Sequence, residues 1–183
     1  MELDPERSTL SVWTHKAGLL ARAAHDLRLD ATGWRLEVRP DGEGAAVEVR
    51  APVAGLRVAG QVHADGRVEP LSARDHAEIE ENVRRKVFDA GRHPEIAWSG
   101  RVAGPLAPGR TRATGRLTLQ GATREVPLDL EVRPDDAAPG AVRVEGRVRL
   151  LQTDFGIRPY SALMGALKLE DALDVSWSVV LRG

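Results

Sequence analysis

The side chains that could do chemistry here are imidazoles, carboxylates and hydroxyls, because the chain has five histidines and no cysteine. A zinc site read from sequence needs local spacings such as H-x-x-x-H, or a supporting carboxylate pattern. His15 and His25 are far apart for that, and His63, His76 and His93 fall between different elements. No metal site is expected. Asp154-Phe155-Gly156 repeats the magnesium-binding triplet of protein kinases, but no Gly-rich loop or catalytic-loop motif accompanies it. It reads as a strand end with a glycine turn, with Asp154 bonding the backbone. Ser8, Ser11, Ser72, Ser99 and Ser161 have no G-x-S-x-G or S-x-x-K context, so nucleophilic catalysis has no footing. Glu80-Glu81 and Asp135-Asp136 read as solvated charge on a helix surface and a loop. No catalytic residue and no cofactor is expected. What remains for an enzyme is a polar site among His25, His93 and Asp154.

The composition narrows the partners. Lys plus Arg number 26 against 27 Asp plus Glu in 183 residues, a net charge of −1. That balance gives no electrostatic reason to expect nucleic acid or an anionic membrane surface. No apolar run approaches the ~18 residues of a membrane span. The first residues, MELDPERSTL, carry early acids and no apolar core, unlike a secretory signal peptide, so the expected location is cytoplasmic. The length suits one domain, residues 1–183, with a substantial core.

Most of the chain alternates apolar and polar residues, the period of a strand with one face buried. Residues 8–16 read as a first strand. Leu27, Leu29 and Ala31 share one face, whereas Trp34, Leu36 and Val38 continue in the opposite phase. A flip around Thr32-Gly33 is expected to be a β-bulge that bends the strand. Ala45–Ala51 and Leu56–His63 follow as strands. Ile96, Trp98, Gly100 and Val102 share a face, as do Ala113, Gly115, Leu117 and Leu119; Gln120-Gly121 marks a tight turn. Pro127 predicts an edge, a bulge or a strand end. Val142–Leu150 and Leu173–Leu181 complete the set. One long segment is helical instead. Ile79, Val83 and Val87 form a stripe, Ser72 with Asp75 makes an approximate capping box, and Asp89-Ala90-Gly91 stops the helix. The stripe predicts a helix at about 72–88 packed on the sheet, with Val83→Asp strongly destabilising and His76→Ala nearly neutral.

Four stretches together resemble the YceI-like family of lipocalin-like barrels. They are Leu3-Asp4-Pro5 with Ser8, Leu10 and Val12; Val83–Asp89 followed by Arg92–Trp98; Thr114–Leu128; and Gly146–Ile157, ending in Asp154-Phe155-Gly156-Ile157. The third is similar to the family hairpin G-x-L-T-x-x-G-V-T-x-x-V-x-L. This sequence has His93 and Trp98 where that family has Tyr and Phe. The resemblance implies an all-β fold, an eight-stranded antiparallel barrel with a helix against it. It also implies a long apolar ligand in the barrel, such as a polyisoprenoid, an isoprenoid quinone or a similar lipid. Many family members are periplasmic, often dimers, and associated with stress, so a homodimer is among the expected partners.

These readings lead to a carrier that does no chemistry. Trp13, Phe88, Ile96, Trp98, Leu117, Leu119, Phe155 and Trp177 are expected to wall the ligand site. His93, Arg158 and Tyr160 are expected to hold a polar head at the mouth. Leu163 and Met164 suit a flexible cover or a dimer contact, since Met adapts to irregular apolar shapes. Gly100, Ala113, Gly115 and Gly146 are read as small inward residues that leave room for the ligand. Two alternatives stand beside this: an enzyme with a polar site at the mouth, and a filled barrel acting as a protein-interaction module.

Overall fold

The computed structural model describes residues 1–17, 26–162 and 167–183. The expected reading of Gly18–His25 as a helical turn or crossover, and the roles given to His25, Leu163 and Met164, lie outside the described residues. The strands are β1 (Glu2–Leu3), β2 (Thr9–Ala17), β3 (Asp26–Ala31), β4 (Arg35–Asp41), β5 (Gly44–Pro52), β6 (Leu56–Val62) and β7 (Val68–Glu69). The helix α1 (Ala73–Asn82) comes next. It is followed by β8 (Glu95–Val102), β9 (Gly109–Leu119), β10 (Ala122–Glu125), β11 (Leu128–Pro134), β12 (Val142–Leu151), β13 (Ser161–Ala162) and β14 (Leu167–Arg182).

All the described strands belong to one antiparallel sheet, and there are fourteen of them rather than the eight expected. The hydrogen-bonded order is β4-β5-β8-β9-β11-β12-β14-β2-β3-β6-β7, with β1 and β13 on β14 and β10 on β9. The count is higher because corners divide long ribbons. Between β3 and β4 the chain turns at Gly33, whose φ is +67°. Opposite it, β5 and β6 are separated by the 3-10 turn Val53–Gly55. The two corners are tied together, since the Thr32 backbone N–H and hydroxyl both donate to the Gly55 carbonyl, at 2.8 and 2.9 Å. The phase flip at Thr32-Gly33 is therefore a corner between two strands and not a bulge within one. It lets Leu29 and Leu36 keep facing the same interior. Because β3 and β4 stand near opposite ends of the strand order, this three-residue link makes the sheet curl round on itself. Pro127 likewise marks a strand end, between β10 and β11. Gln120 and Gly121 both have positive φ, 48° and 79°, as a two-residue hairpin turn of matching twist requires.

The helix begins as its sequence suggests, with the Ser72 hydroxyl accepting from the Asp75 N–H at 3.1 Å. It does not stay α-helical to residue 88. Val83–Val87 form a π-helical turn, in which the Phe88 N–H reaches the Val83 carbonyl at 3.0 Å. The wider turn brings Phe88 toward the phase of Val83, so an aromatic ring joins the apolar stripe. Glu80 is not merely solvated charge. Its carboxylate accepts from the Val58 N–H at 3.1 Å and from Arg57 at 2.9 Å, which docks the helix on β6.

Two buried apolar clusters lie under this framework. One contains Trp98, Val132, Phe155 and Leu181 among others; the other is Leu27, Leu29, Leu56 and Val58. Phe88 and Ile96 pack against both.

Candidate functional site

The alternation that builds the strands also decides what faces inward. On β2 the inward row is Leu10, Val12 and Thr14; on β14 it is Leu173, Val175, Trp177, Val179 and Leu181. The last row alone runs about 26 Å along its strand at ~3.3 Å per residue. These rows enclose a cavity of about 650 Å³. Its wall is almost entirely aliphatic and aromatic, including Trp34 just before β4, Leu36 of β4, Ile79 of α1, and Val83, Val87 and Phe88 from the π turn and its end. The helical stripe thus faces the cavity as well as the second buried cluster.

Among the described residues, the polar groups on the lining are Thr14, Asp75, Glu78, Asn82, Gln152, Tyr160 and Lys168. They gather at one end. Thr14 pairs with Leu27 and Leu173, and Lys168 pairs with Ala17 and Ser161, so these strand ends lie together, on the side where β3 and β6 meet the helix. Gln152 is structurally committed, donating its amide to the Glu170 and Asp171 carbonyls at 2.9 and 3.2 Å. The Thr14 hydroxyl oxygen is buried with no hydrogen-bond partner among the described residues.

Of the residues expected to form the site, Phe88, Ile96, Trp98, Leu117, Leu119, Tyr160 and Trp177 line the cavity. Trp98 is 6% exposed and donates its indole N–H to the Val126 carbonyl at 2.9 Å, at the break before β11. The other described candidates do not line it. Trp13 falls between the inward Val12 and Thr14, so it points outward. There it donates to the Ser176 hydroxyl at 2.8 Å and carries the Arg28 guanidinium 5.7 Å from its ring centroid. Phe155 is 3% exposed but sits in the core behind the wall, whereas its neighbour Ile157 reaches the cavity. Arg158 is exposed. His93 places its ring against the Gln120-Gly121 turn, with Cε1 3.0 Å from where a Gly121 Cβ would lie.

The glycines are also corrected. Gly100, Gly115 and Gly146 do not leave open space; indole rings cover them. A Cβ at Gly115 would lie 2.7 Å from Trp98 Cε2, and one at Gly146 would lie 2.7 Å from Trp177 Cε2. The sequence reading missed Trp34, Thr14, and the helix residues Asp75, Glu78 and Asn82. The signal for Thr14 and Trp34 was present in the period-two rows Leu10-Val12-Thr14 and Trp34-Leu36-Val38.

The carboxylates with displaced titration lie away from the cavity. The Arg7 guanidinium, 2.5 Å from Asp135, holds that carboxyl below its usual range against the burial that opposes it, with Ala137 N–H and Arg143 assisting. Burial pushes the Asp174 carboxyl up, but hydrogen bonds from His15 and Arg147, both at 2.9 Å, bring it below its usual value. Asp171 is held low by the Thr153 hydroxyl and N–H. Those two bonds hold the backbone beside Asp154, the role expected of Asp154, whose own carboxylate is exposed. Among the described residues, no three His, Asp or Glu side chains converge as metal ligands, and no helix is long and apolar enough to cross a membrane.

The model of the YceI-like domain family matches residues 1–181. No curated protein matches the sequence significantly. Among solved structures, BcnA of Burkholderia cenocepacia superimposes with a TM-score of 0.71 at 15% identity, covering 98% of this chain and 99% of that one. A polyisoprenoid-binding domain from Saccharophagus degradans, implicated in plant cell wall breakdown, gives a TM-score of 0.65 at 12% identity, covering 97% and 95%. The Campylobacter jejuni YCEI protein gives 0.59 at 12% identity, covering 84% and 82%.

Proposed function

The chain belongs to the YceI-like family, and we propose that it holds a long apolar ligand in its cavity and does no chemistry on it. An isoprenoid chain or an isoprenoid quinone is the class that fits. The observation that carries this reading is the cavity of about 650 Å³ with an almost wholly apolar wall. That volume falls within the roughly 300–1,000 Å³ typical of small-molecule sites. Burial of apolar ligand surface, at about 25 cal/mol per Å², supplies the driving force. A polar head is left at the end where Tyr160, Lys168 and the helix residues lie. The solved polyisoprenoid-binding domain of similar fold supports the ligand class. A catalytic site is where titration is most often displaced, and the displaced carboxylates here lie on the outside of the sheet or at its ends.

Organic extraction of the purified protein, followed by mass spectrometry, tests the reading directly, and an isoprenoid or acyl chain is expected in the extract. Tryptophan fluorescence gives a second test. Trp34, Trp98 and Trp177 line the cavity, whereas Trp13 is on the outer face. An isoprenoid quinone should therefore quench most of the emission and leave the Trp13 contribution. A clean extract together with no quenching would defeat the proposal.

A further inference from the structure

We propose that α1 is a side gate of the cavity, latched on the sheet by Glu80 and turning on the π turn Val83–Val87 to admit a long apolar ligand. This rests on the apolar-ligand reading and deepens it. One side of the wall is not closed by strands. Among the described residues, β6 pairs with β3 and β7, and β8 pairs with β5 and β9. Where β5 ends, the Val53 N–H donates to the Pro94 carbonyl at 2.9 Å. Beyond that bond, no backbone hydrogen bond joins β6 or β7 to β8, β9 or β10 among the described residues. The helix and its π turn span this opening. Ile79 and Val83 pack on the cluster of Leu27, Leu29, Leu56 and Val58. Val87 packs on the cluster that holds Trp98, and Phe88 packs on both. All four of these apolar side chains line the cavity.

This closure is lightly held. No residue of α1 or of the π turn is buried, although their apolar stripe faces the interior. Among the described residues, the side-chain hydrogen bonds from α1 to the sheet all run through Glu80, which accepts from the Val58 N–H and from Arg57. The others stay local, joining Ser72 to Asp75, His76 to Leu71, and Arg84 and Arg85 to Glu81. Elements with few buried contacts open at the lowest cost. Hinges are a few element-terminal residues that absorb the backbone change, and the end of this helix supplies them. Its ladder is already widened to a π turn. Asp89, just beyond, has a φ of +45°, a left-handed conformation uncommon for any residue but glycine. Through the mouth alone, a long chain would have to thread in lengthwise. Lifting α1 uncovers the cavity along its side.

The test uses the full chain, delipidated, and a benzoquinone carrying a two-isoprene tail, followed by stopped-flow quenching of tryptophan fluorescence. Glu80→Ala removes the latch. It should raise the association and dissociation rates together, each on the order of tenfold, the worth of a hydrogen bond to a charged group, with Kd little changed. A residue that merely shaped the wall would alter Kd instead. Arg57→Ala, on the exposed side of the latch, should raise both rates by less. A third variant carries Arg57→Cys with Glu80→Cys, the only thiols in a chain that has no cysteine of its own. Unlinked, it should exchange the quinone as fast as Glu80→Ala. Joined by a short thiol-reactive linker, it should exchange more slowly than the native protein, and reductive cleavage of the linker should restore the fast rates. Equal rates in the linked and unlinked forms would overturn the inference and leave the apolar-ligand reading standing. So would native rates in both latch variants, or a change in Kd through dissociation alone. If the quinone fails to bind the native protein, the apolar-ligand reading falls first and the inference with it.

Discussion

Gly146 shows how a residue can be decisive by what it lacks. Its missing side chain is the seat of the Trp177 ring, which then presents its other face to the cavity. Gly115 does the same for Trp98. Gly146→Ala is expected to destabilise by about 2 kcal/mol, typical of overpacking, and to lower Tm by about 4–8 °C for a chain of this size. Thermal unfolding checks it; an unchanged Tm would mean that the ring has room to move. The sequence showed that the glycines faced inward, but not that an indole two residues away, or on the next strand, would cover them. Such close approaches depend on how rings lie flat on neighbouring strands, which no local pattern encodes. For His76 the structure changes the expectation: its Nε2 accepts the Leu71 N–H at 3.1 Å, so His76→Ala is now expected to cost stability. It leaves a partly buried backbone donor unpaired and should cost about 1 kcal/mol in urea unfolding. Val83→Asp, with a carboxylate set into the cavity wall and the second buried cluster, should cost more, about 3 kcal/mol.

At the scale of elements, the helix and the strands were legible for different reasons. Alternation located the strands because each has one face on a common interior, and Ser72 announced the start of α1. The end of the helix was not legible. The π turn at Val83–Val87 exists because Phe88 is drawn to the cavity, a tertiary demand with no local marker. The N-terminal segment was equally opaque, since its attachment is made by side chains distant in sequence. Arg7, in the 3-10 turn Pro5–Arg7, and Arg143 of β12 converge on Asp135. Ser8 bridges the Asp4 carbonyl and the Val180 N–H at 2.6 and 2.9 Å. Its position in a loop predicts solvated charge for Asp135, yet its side chain is 1% exposed. Its folded pKa lies below the unfolded value of about 3.9, so it binds protons more weakly folded than unfolded. The stability it contributes is fully present above that unfolded value and is lost as pH falls through the folded pKa. Urea midpoints measured from pH 7 down to acid should therefore fall steeply below about pH 4. Asp135→Asn should be less stable at pH 7 and show a flatter acid limb. An acid limb of unchanged steepness in that variant would show that another carboxylate governs acid unfolding.

For the whole molecule, the curled sheet solves two problems with one surface. Its inner face must be apolar to drive folding, yet the strands enclose a cavity of about 650 Å³ instead of closing on one another. Apolar walls that face a cavity without partner atoms forgo packing contacts, and the cost of a void grows with its volume. The folded state is thus incompletely satisfied until something apolar fills it, and the occupant becomes part of the core. A ligand that binds only the folded chain adds about 2.7 kcal/mol of stability at a hundred times its Kd. For a chain of this length that corresponds to a rise in Tm of roughly 5–10 °C. Delipidated protein is therefore expected to melt lower than protein as purified, and to recover when an isoprenoid chain is restored. The recovery should grow with ligand concentration, because mass action and not a fixed conformational change sets it. Gly146→Ala should show a smaller recovery than the native chain, since the Trp177 ring it displaces takes up cavity volume. Scanning calorimetry of the four samples, native and variant with and without ligand, measures both effects. Equal melting temperatures with and without the chain would mean that the cavity is not filled in this way.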